Sequence, residues 1–210
     1  MEAIPQMTPR FLLLSVAALA LLAGCSDVED HDHDHDHDHE VITTVTLTFT
    51  AQASGDEVVA TWADPEDDGS PVIDDIQLLD SEDYDLVVSF SNELEDPEED
   101  ITPEIARESE EHQLFFIGSA VTGPAGTGSS AVVTHAYDDA DSDGNPVGLS
   151  NTITTDAVGS GVMTVVLRHL PFEDGSSIKT GTLADDVAEG GIDALPGASD
   201  VEVDFDLEVL

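Results

Sequence analysis

Residues 201–209 read Val-Glu-Val-Asp-Phe-Asp-Leu-Glu-Val. Strict alternation places Val201, Val203, Phe205, Leu207 and Val209 on one face of an extended chain and four carboxylates on the other. A helix would scatter both sets, so the stretch predicts a half-buried strand whose apolar face needs a second layer. Val45, Leu47 and Phe49 alternate with Thr44, Thr46, Thr48 and Thr50 in the same way. Further strands are expected near 58–62, 72–79, 84–92, 113–119, 131–137, 149–156 and 161–169, separated by Gly, Asp, Ser and Pro. One short helix is expected, with Thr102 as N-cap, Pro103 in its first turn and an end near Glu111. Strands and helices do not alternate, which argues against a parallel α/β sheet. The expectation is an all-β fold: a two-sheet β-sandwich, Ig-like or related, with at most one short helix, over residues 41–210.

The domain contains an internal similarity at an offset of 75 residues. Trp62-Ala-Asp-Pro-Glu-Asp-Asp-Gly-Ser-Pro-Val72 aligns without gaps to Tyr137-Asp-Asp-Ala-Asp-Ser-Asp-Gly-Asn-Pro-Val147. Aromatic, acidic, Gly, Pro and Val positions coincide. This suggests two similar half-domains, 41–95 and 112–170, bridged by 96–111.

The first 24 residues read as a targeting segment. Arg10 precedes an apolar run, Phe11–Leu22, that is short for a transmembrane helix. Leu22-Ala23-Gly24-Cys25 resembles the lipobox of bacterial lipoproteins. The resemblance implies cleavage before Cys25, acylation of Cys25 and a lipid bilayer as partner. Ser26 then leans towards the outer membrane, periplasmic or surface-exposed. Cys25 is the only cysteine, so an intrachain disulfide is excluded. Several acyl chains would give a stable anchor where one alone would not.

Residues 25–40 read as a charged tether carrying His31, His33, His35, His37 and His39, each flanked by acids, and ending in Glu40. In an extended chain the five imidazoles share one side. Neutral imidazole is a common ligand of Zn²⁺ and similar divalent transition metals, and neighbouring carboxylates raise its proton affinity so that protons compete with metal. A plain solvated spacer is the other reading of such a tract.

The chain has 47 acidic and 4 basic residues, a net charge of −43. Nucleic acid and anionic membrane surfaces are poor partners for such a chain, and no nucleic acid is expected, since both are bound through Lys and Arg. The charge attracts cations, and it equally suits a protein solvated at high salt.

Two further sets of candidate ligands lie in the domain. Asp139, Asp141, Asp143 and Gly144 have the spacing of the first half of a calcium loop, but position twelve is Ser150 and not Glu. Ca²⁺ or an ordinary acidic turn both fit this pattern. His112 and His169 fall at the ends of expected strands, where they can meet with Glu111 or Glu93. His135 reads as strand surface or core edge.

The segments Ile42–Val45, Glu110–Gln113, Asn145–Leu149, Leu167–His169 and Asp200–Val203 resemble a group of uncharacterised bacterial envelope lipoproteins. Several of these carry a His/Asp tract after the lipidated cysteine. Some are described as a type 1 periplasmic binding domain, which does not fit the β pattern here. The resemblance spans 41–210 and implies weight on His112 and His169 over His135. This chain departs from the group at Asp64-Pro65-Glu66, where a richer Asp/Gly loop is expected, and at Leu170, where an acid is expected.

Two functional classes follow. One is a metal-binding lipoprotein that captures or buffers a Zn-like ion and passes it to a metal transporter or receptor. The other is a structural or adhesive surface sandwich, calcium-stabilised, with the tract as spacer. No nucleophile elbow, HExxH or phosphate loop is found, so an enzyme ranks last.

Overall fold

The computed structural model describes Met1 and residues 40–210. The lipobox, Cys25 and the tract histidines His31, His33, His35, His37 and His39 lie outside the described residues. In chain order the elements are β1 (Thr44–Ala51), β2 (Glu57–Ala63), β3 (Val72–Ile73), β4 (Ile76–Leu78), β5 (Asp83–Asn92) and β6 (Glu99–Asp100). Then come α1 (Thr102–Arg107), β7 (His112–Ile117), β8 (Val121–Thr122), β9 (Val133–Tyr137), β10 (Ser150–Thr155) and β11 (Gly159–His169). The chain closes with α2 (Leu183–Gly190), a 3₁₀ turn (Ile192–Ala194) and β12 (Ala198–Val209).

The strands form two sheets, as the alternation requires. The larger runs β3-β2-β1-β5-β10-β9-β8, with β6 added on β5, and the smaller runs β4-β12-β11-β7. Val45, Leu47 and Phe49 of β1 join Leu86, Val88 and Phe90 of β5 in one core with Val203, Phe205 and Leu207 of β12. Each is at most 3% exposed, so the period-two rows are the inner faces of the sandwich. Burial of such side chains contributes about 1.5–3 kcal/mol each.

The smaller sheet is covered on its other face too. Leu114–Phe116 of β7 and Val165–Leu167 of β11 are buried on both sides. Their outward members, Phe115 and Val166, pack with Leu183, Ala184 and Val187 of α2 and with Leu170 and Leu195. The expectation of at most one helix is corrected by α2, which exists because an unbroken apolar strand needs cover on both faces. α1 is also corrected. It ends at Arg107, and Ile101, not Thr102, occupies the N-cap position. The Thr102 hydroxyl instead accepts from the Phe90 N–H at 2.9 Å and donates to the Phe90 carbonyl, hooking the helix to β5.

The two similar stretches each leave a strand of the larger sheet through an acid-closed turn. Asp64 accepts the N–H groups of Asp68 and Gly69, and Asp139 those of Gly148, Leu149 and Ser150. Each of these strands pairs antiparallel with the strand that follows the turn, β2 with β3 and β9 with β10; on its other side β2 pairs antiparallel with β1, whereas β9 pairs parallel with β8.

Candidate metal centre

His112 opens β7 and His169 closes β11, and the two residues face each other in the antiparallel register. Cross-strand partners carry side chains on the same face. The rings accordingly stack, with centroids 4.8 Å apart and planes 15° from parallel.

Asp200 reaches the same place through an irregularity. Leu167 pairs with Val201 but Arg168 pairs with Ser199, so Asp200 is the extra residue of a β-bulge in β12. A bulge re-aims a side chain that regular alternation would send outward. The Asp200 carboxylate is fully buried, 3.7 Å from His112 Nε2. The fourth member is Glu40, four positions ahead of β1 and the last residue of the His/Asp tract. Its Oε1 lies 3.5 Å from His112 Nε2.

One donor atom from each of Glu40, His112, His169 and Asp200 lies within 4.8 Å of every other. Metal–ligand bonds to imidazole and carboxylate are about 2.0–2.2 Å, so each donor need move inward by less than about 1 Å to bind one ion. Glu111 borders the group, its Oε2 4.0 Å from His169 Nε2.

The imidazole of His112 is oriented for this role. Its Nδ1 lies 3.2 Å from the Glu108 carbonyl, which can only accept, so Nδ1 carries the proton. Nε2 then presents its lone pair to the two carboxylates. Such a contact through the other ring nitrogen is the usual support of a metal-bound histidine. Among the described residues, His112 Nε2 and Glu40 Oε2 are buried without a hydrogen-bond partner. Buried polar atoms normally have one, and two carboxylates turned together in a shielded place are relieved by a cation or a proton between them. Burial pushes the His112 pKa down, but Glu40 and Asp200 outweigh it and hold it above the ordinary value. Burial likewise opposes ionisation of Glu40, yet its contact with His112 holds the carboxyl below the usual range. A proton on His112 or a divalent ion can supply the positive charge.

The backbone around the site is fixed by two of the three basic residues in the described domain. Arg168 donates to the carbonyls of Leu195, Pro196 and Gly197, with distances of 2.8–3.0 Å, and to the Ser199 hydroxyl. This fastens the strand entry that leads into Asp200. Lys179 donates to the carbonyls of Ser109 and His112 at 2.7 and 2.8 Å and pairs with Asp141 at 3.1 Å. Arg107, the third, is a surface residue.

The expected meeting of His112 and His169 is therefore present, with Glu111 at its border. Glu93 is elsewhere, accepting from the Thr44 hydroxyl at 2.5 Å. His135 is not surface or core edge but core, 1% exposed. Its Nε2 contacts Asn151 Oδ1 at 2.9 Å and its ring lies 4.3 Å from that of Phe116. Asp139, Asp141 and Asp143 sit in the β9–β10 turn. Asp139 holds three backbone N–H groups at 2.6–3.0 Å, and Asp141 holds those of Asp143 and Asn145 besides Lys179. These oxygens are aimed at the turn's own backbone, as in Asx turns.

Glu40 and Asp200 were missed as ligands by the sequence reading. Glu40 looks like the last acid of a repetitive tract. Asp200 continues the row Glu202, Asp204, Asp206, Glu208 and so looks solvent-facing; no residue type announces the bulge.

Comparison of the chain with protein-family models, with curated proteins and with solved structures finds no match.

Proposed function

We propose that the chain is an envelope lipoprotein that captures and holds a divalent transition metal. Glu40, His112, His169 and Asp200 form the holding site, and the tract His31–His39 collects ions for it. The observation that carries this reading is the convergence of four donors from separate segments, two imidazoles and two carboxylates, in a buried place. With neutral imidazoles the four donors carry a charge of about −2, which one divalent ion cancels. The set has nitrogen and oxygen but no thiolate, which suits Zn²⁺ or a similar first-row ion and disfavours Cu(I). Glu40 is covalently continuous with His39, so an ion caught by the tract is at high effective concentration at the site. The lipobox supports an anchor at Cys25, and a transporter or receptor for the same ion is the partner such a protein would serve.

Calorimetric titration with Zn²⁺ tests the reading on three forms of the chain: unaltered, lacking residues 31–39, and His112→Ala/His169→Ala. Deletion should lower the number of ions bound and leave one tight site, which the double substitution removes. Unchanged tight binding in the double variant would reject the sandwich site. For the anchor, Cys25→Ala should abolish detergent-phase partitioning; equal partitioning of both forms would reject lipidation.

A further inference from the structure

The four donors are not held alike. His112, His169 and Asp200 are carried by strands of one sheet, with β11 hydrogen-bonded to β7 on one side and β12 on the other. Glu40 precedes every described strand. Among the described residues, the backbone is first pinned at Thr43: its N–H donates to the Ser91 carbonyl at 3.0 Å, its carbonyl accepts from the Asp64 N–H at 2.8 Å and its hydroxyl accepts from the Glu93 N–H. Between that pin and the tract, Val41 is exposed and Ile42 rests against the core edge. The Glu40 side chain is nevertheless only 9% exposed, and one of its oxygens is buried with no hydrogen-bond partner among the described residues. Placing a carboxylate there, beside that of Asp200, is unfavourable unless a cation lies among the donors.

We propose that metal binding clamps the root of the tether. The ion draws Glu40 onto the β7–β11–β12 end of the sandwich and thereby fixes the point at which the His/Asp tract leaves the domain. With the ion bound, residues 40–43 are part of the folded body. Without it, the chain is anchored only from Thr43, and the tether gains three residues of free length. The clamp couples ion occupancy to the reach of the domain from its anchor, and a ligand has this effect only by binding the closed arrangement better than the open one. The inference rests on the metal-site reading, and the experiment separates the two.

Hydrogen exchange is followed by mass spectrometry on the detergent-solubilised full-length chain, with the five tract histidines replaced by asparagine so that Zn²⁺ can bind only the domain. Zn²⁺ should slow exchange of the Val41 and Ile42 amides by at least about tenfold while leaving Thr43 and β1 unchanged. Glu40→Gln should bind Zn²⁺ at least about tenfold more weakly, the smallest loss expected for removing even an outer-shell partner. At a Zn²⁺ concentration that saturates this variant, Val41 and Ile42 should exchange as in the metal-free protein. Tight Zn²⁺ binding lost in His112→Ala, with no change at Val41 and Ile42 in the parent, would overturn the clamp and leave the site standing. Failure of the parent to bind Zn²⁺ would overturn both. Equal affinity and equal protection in Glu40→Gln would remove Glu40 from the site and with it the clamp.

Discussion

Two histidines of this domain are buried to nearly the same degree and titrate in opposite directions. His112 faces carboxylates and is held above its ordinary pKa. His135 faces Phe116, Tyr137 and Asn151, and burial lowers its pKa to about 4. His135 is therefore neutral in the folded state while the unfolded chain takes up a proton near pH 6.5. A depressed histidine contributes stability above the unfolded value, and that contribution is lost as pH falls from about 6.5 towards 4. Between pH 7 and 4.5 the loss should be about 2–3 kcal/mol. Protonation of the many carboxylates acts in the same interval, so the quantity to measure is the difference between wild type and His135→Phe in urea unfolding at both pH values. A difference independent of pH would show that His135 is not buried in the neutral form. Asp139 belongs to the same scale. Asp139→Ala strands three turn N–H groups and should cost about 2–4 kcal/mol. Because those oxygens hold backbone, the loss should be the same with and without Ca²⁺; a loss seen only with Ca²⁺ would restore the calcium reading.

Strands β11 and β12 show how far a pattern carries. The alternation in 201–209 makes β12 legible down to which side chains enter the core. It fails one residue upstream, because a bulge depends on how Arg168 ties Leu195–Ser199 and not on residue type at Asp200. His112 and His169 were legible as a pair because both lie at strand ends, and adjacent antiparallel strands bring opposite ends together. α2 was hidden for another reason: its apolar side is only Leu183, Ala184 and Val187, too few for a periodic signal. The doubly buried runs Leu114–Phe116 and Val165–Leu167 carried the missing information, since they demand a layer outside the sheet. Gly197 is the element-scale counterpart of the bulge. It has φ of +78°, and a Cβ there would lie 1.9 Å from the His169 carbonyl oxygen. Gly197→Ala should push the start of β12 off β11, displacing Asp200 and weakening Zn²⁺ binding at least about tenfold. Far-ultraviolet circular dichroism should retain the strand signal. Unchanged affinity would mean that Asp200 is dispensable.

At the scale of the molecule, charge and structure are divided between surface and interior. Of the basic side chains in the described domain, Arg168 and Lys179 are buried and used as backbone ties. The surface is left to carboxylates with Arg107 as its cation, so long-range repulsion opposes the folded state. Raising NaCl from about 0.15 to 1 M shortens the screening length from about 8 to 3 Å. The melting temperature of the metal-free domain should rise over that range. A fall would mean that the few ion pairs, such as Lys179–Asp141, outweigh the repulsion. The Asp141 pair should resist salt because both side chains are shielded from solvent.

The bulge at Asp200 makes the proposed site removable by the smallest change a gene can make to a chain's length. Deleting that one codon would let Arg168 and Leu167 pair with consecutive residues, giving an unbroken ladder from His169 to Gly159. Core register from Val201 onward would be kept, because the inserted residue lies before the first buried position of the alternating run. Deletion of Asp200 should thus leave a sandwich of equal or greater thermal stability that no longer holds the ion tightly. On that outcome, this chain with and without the proposed centre would differ by one residue, and loss of binding would need no unstable intermediate sequence.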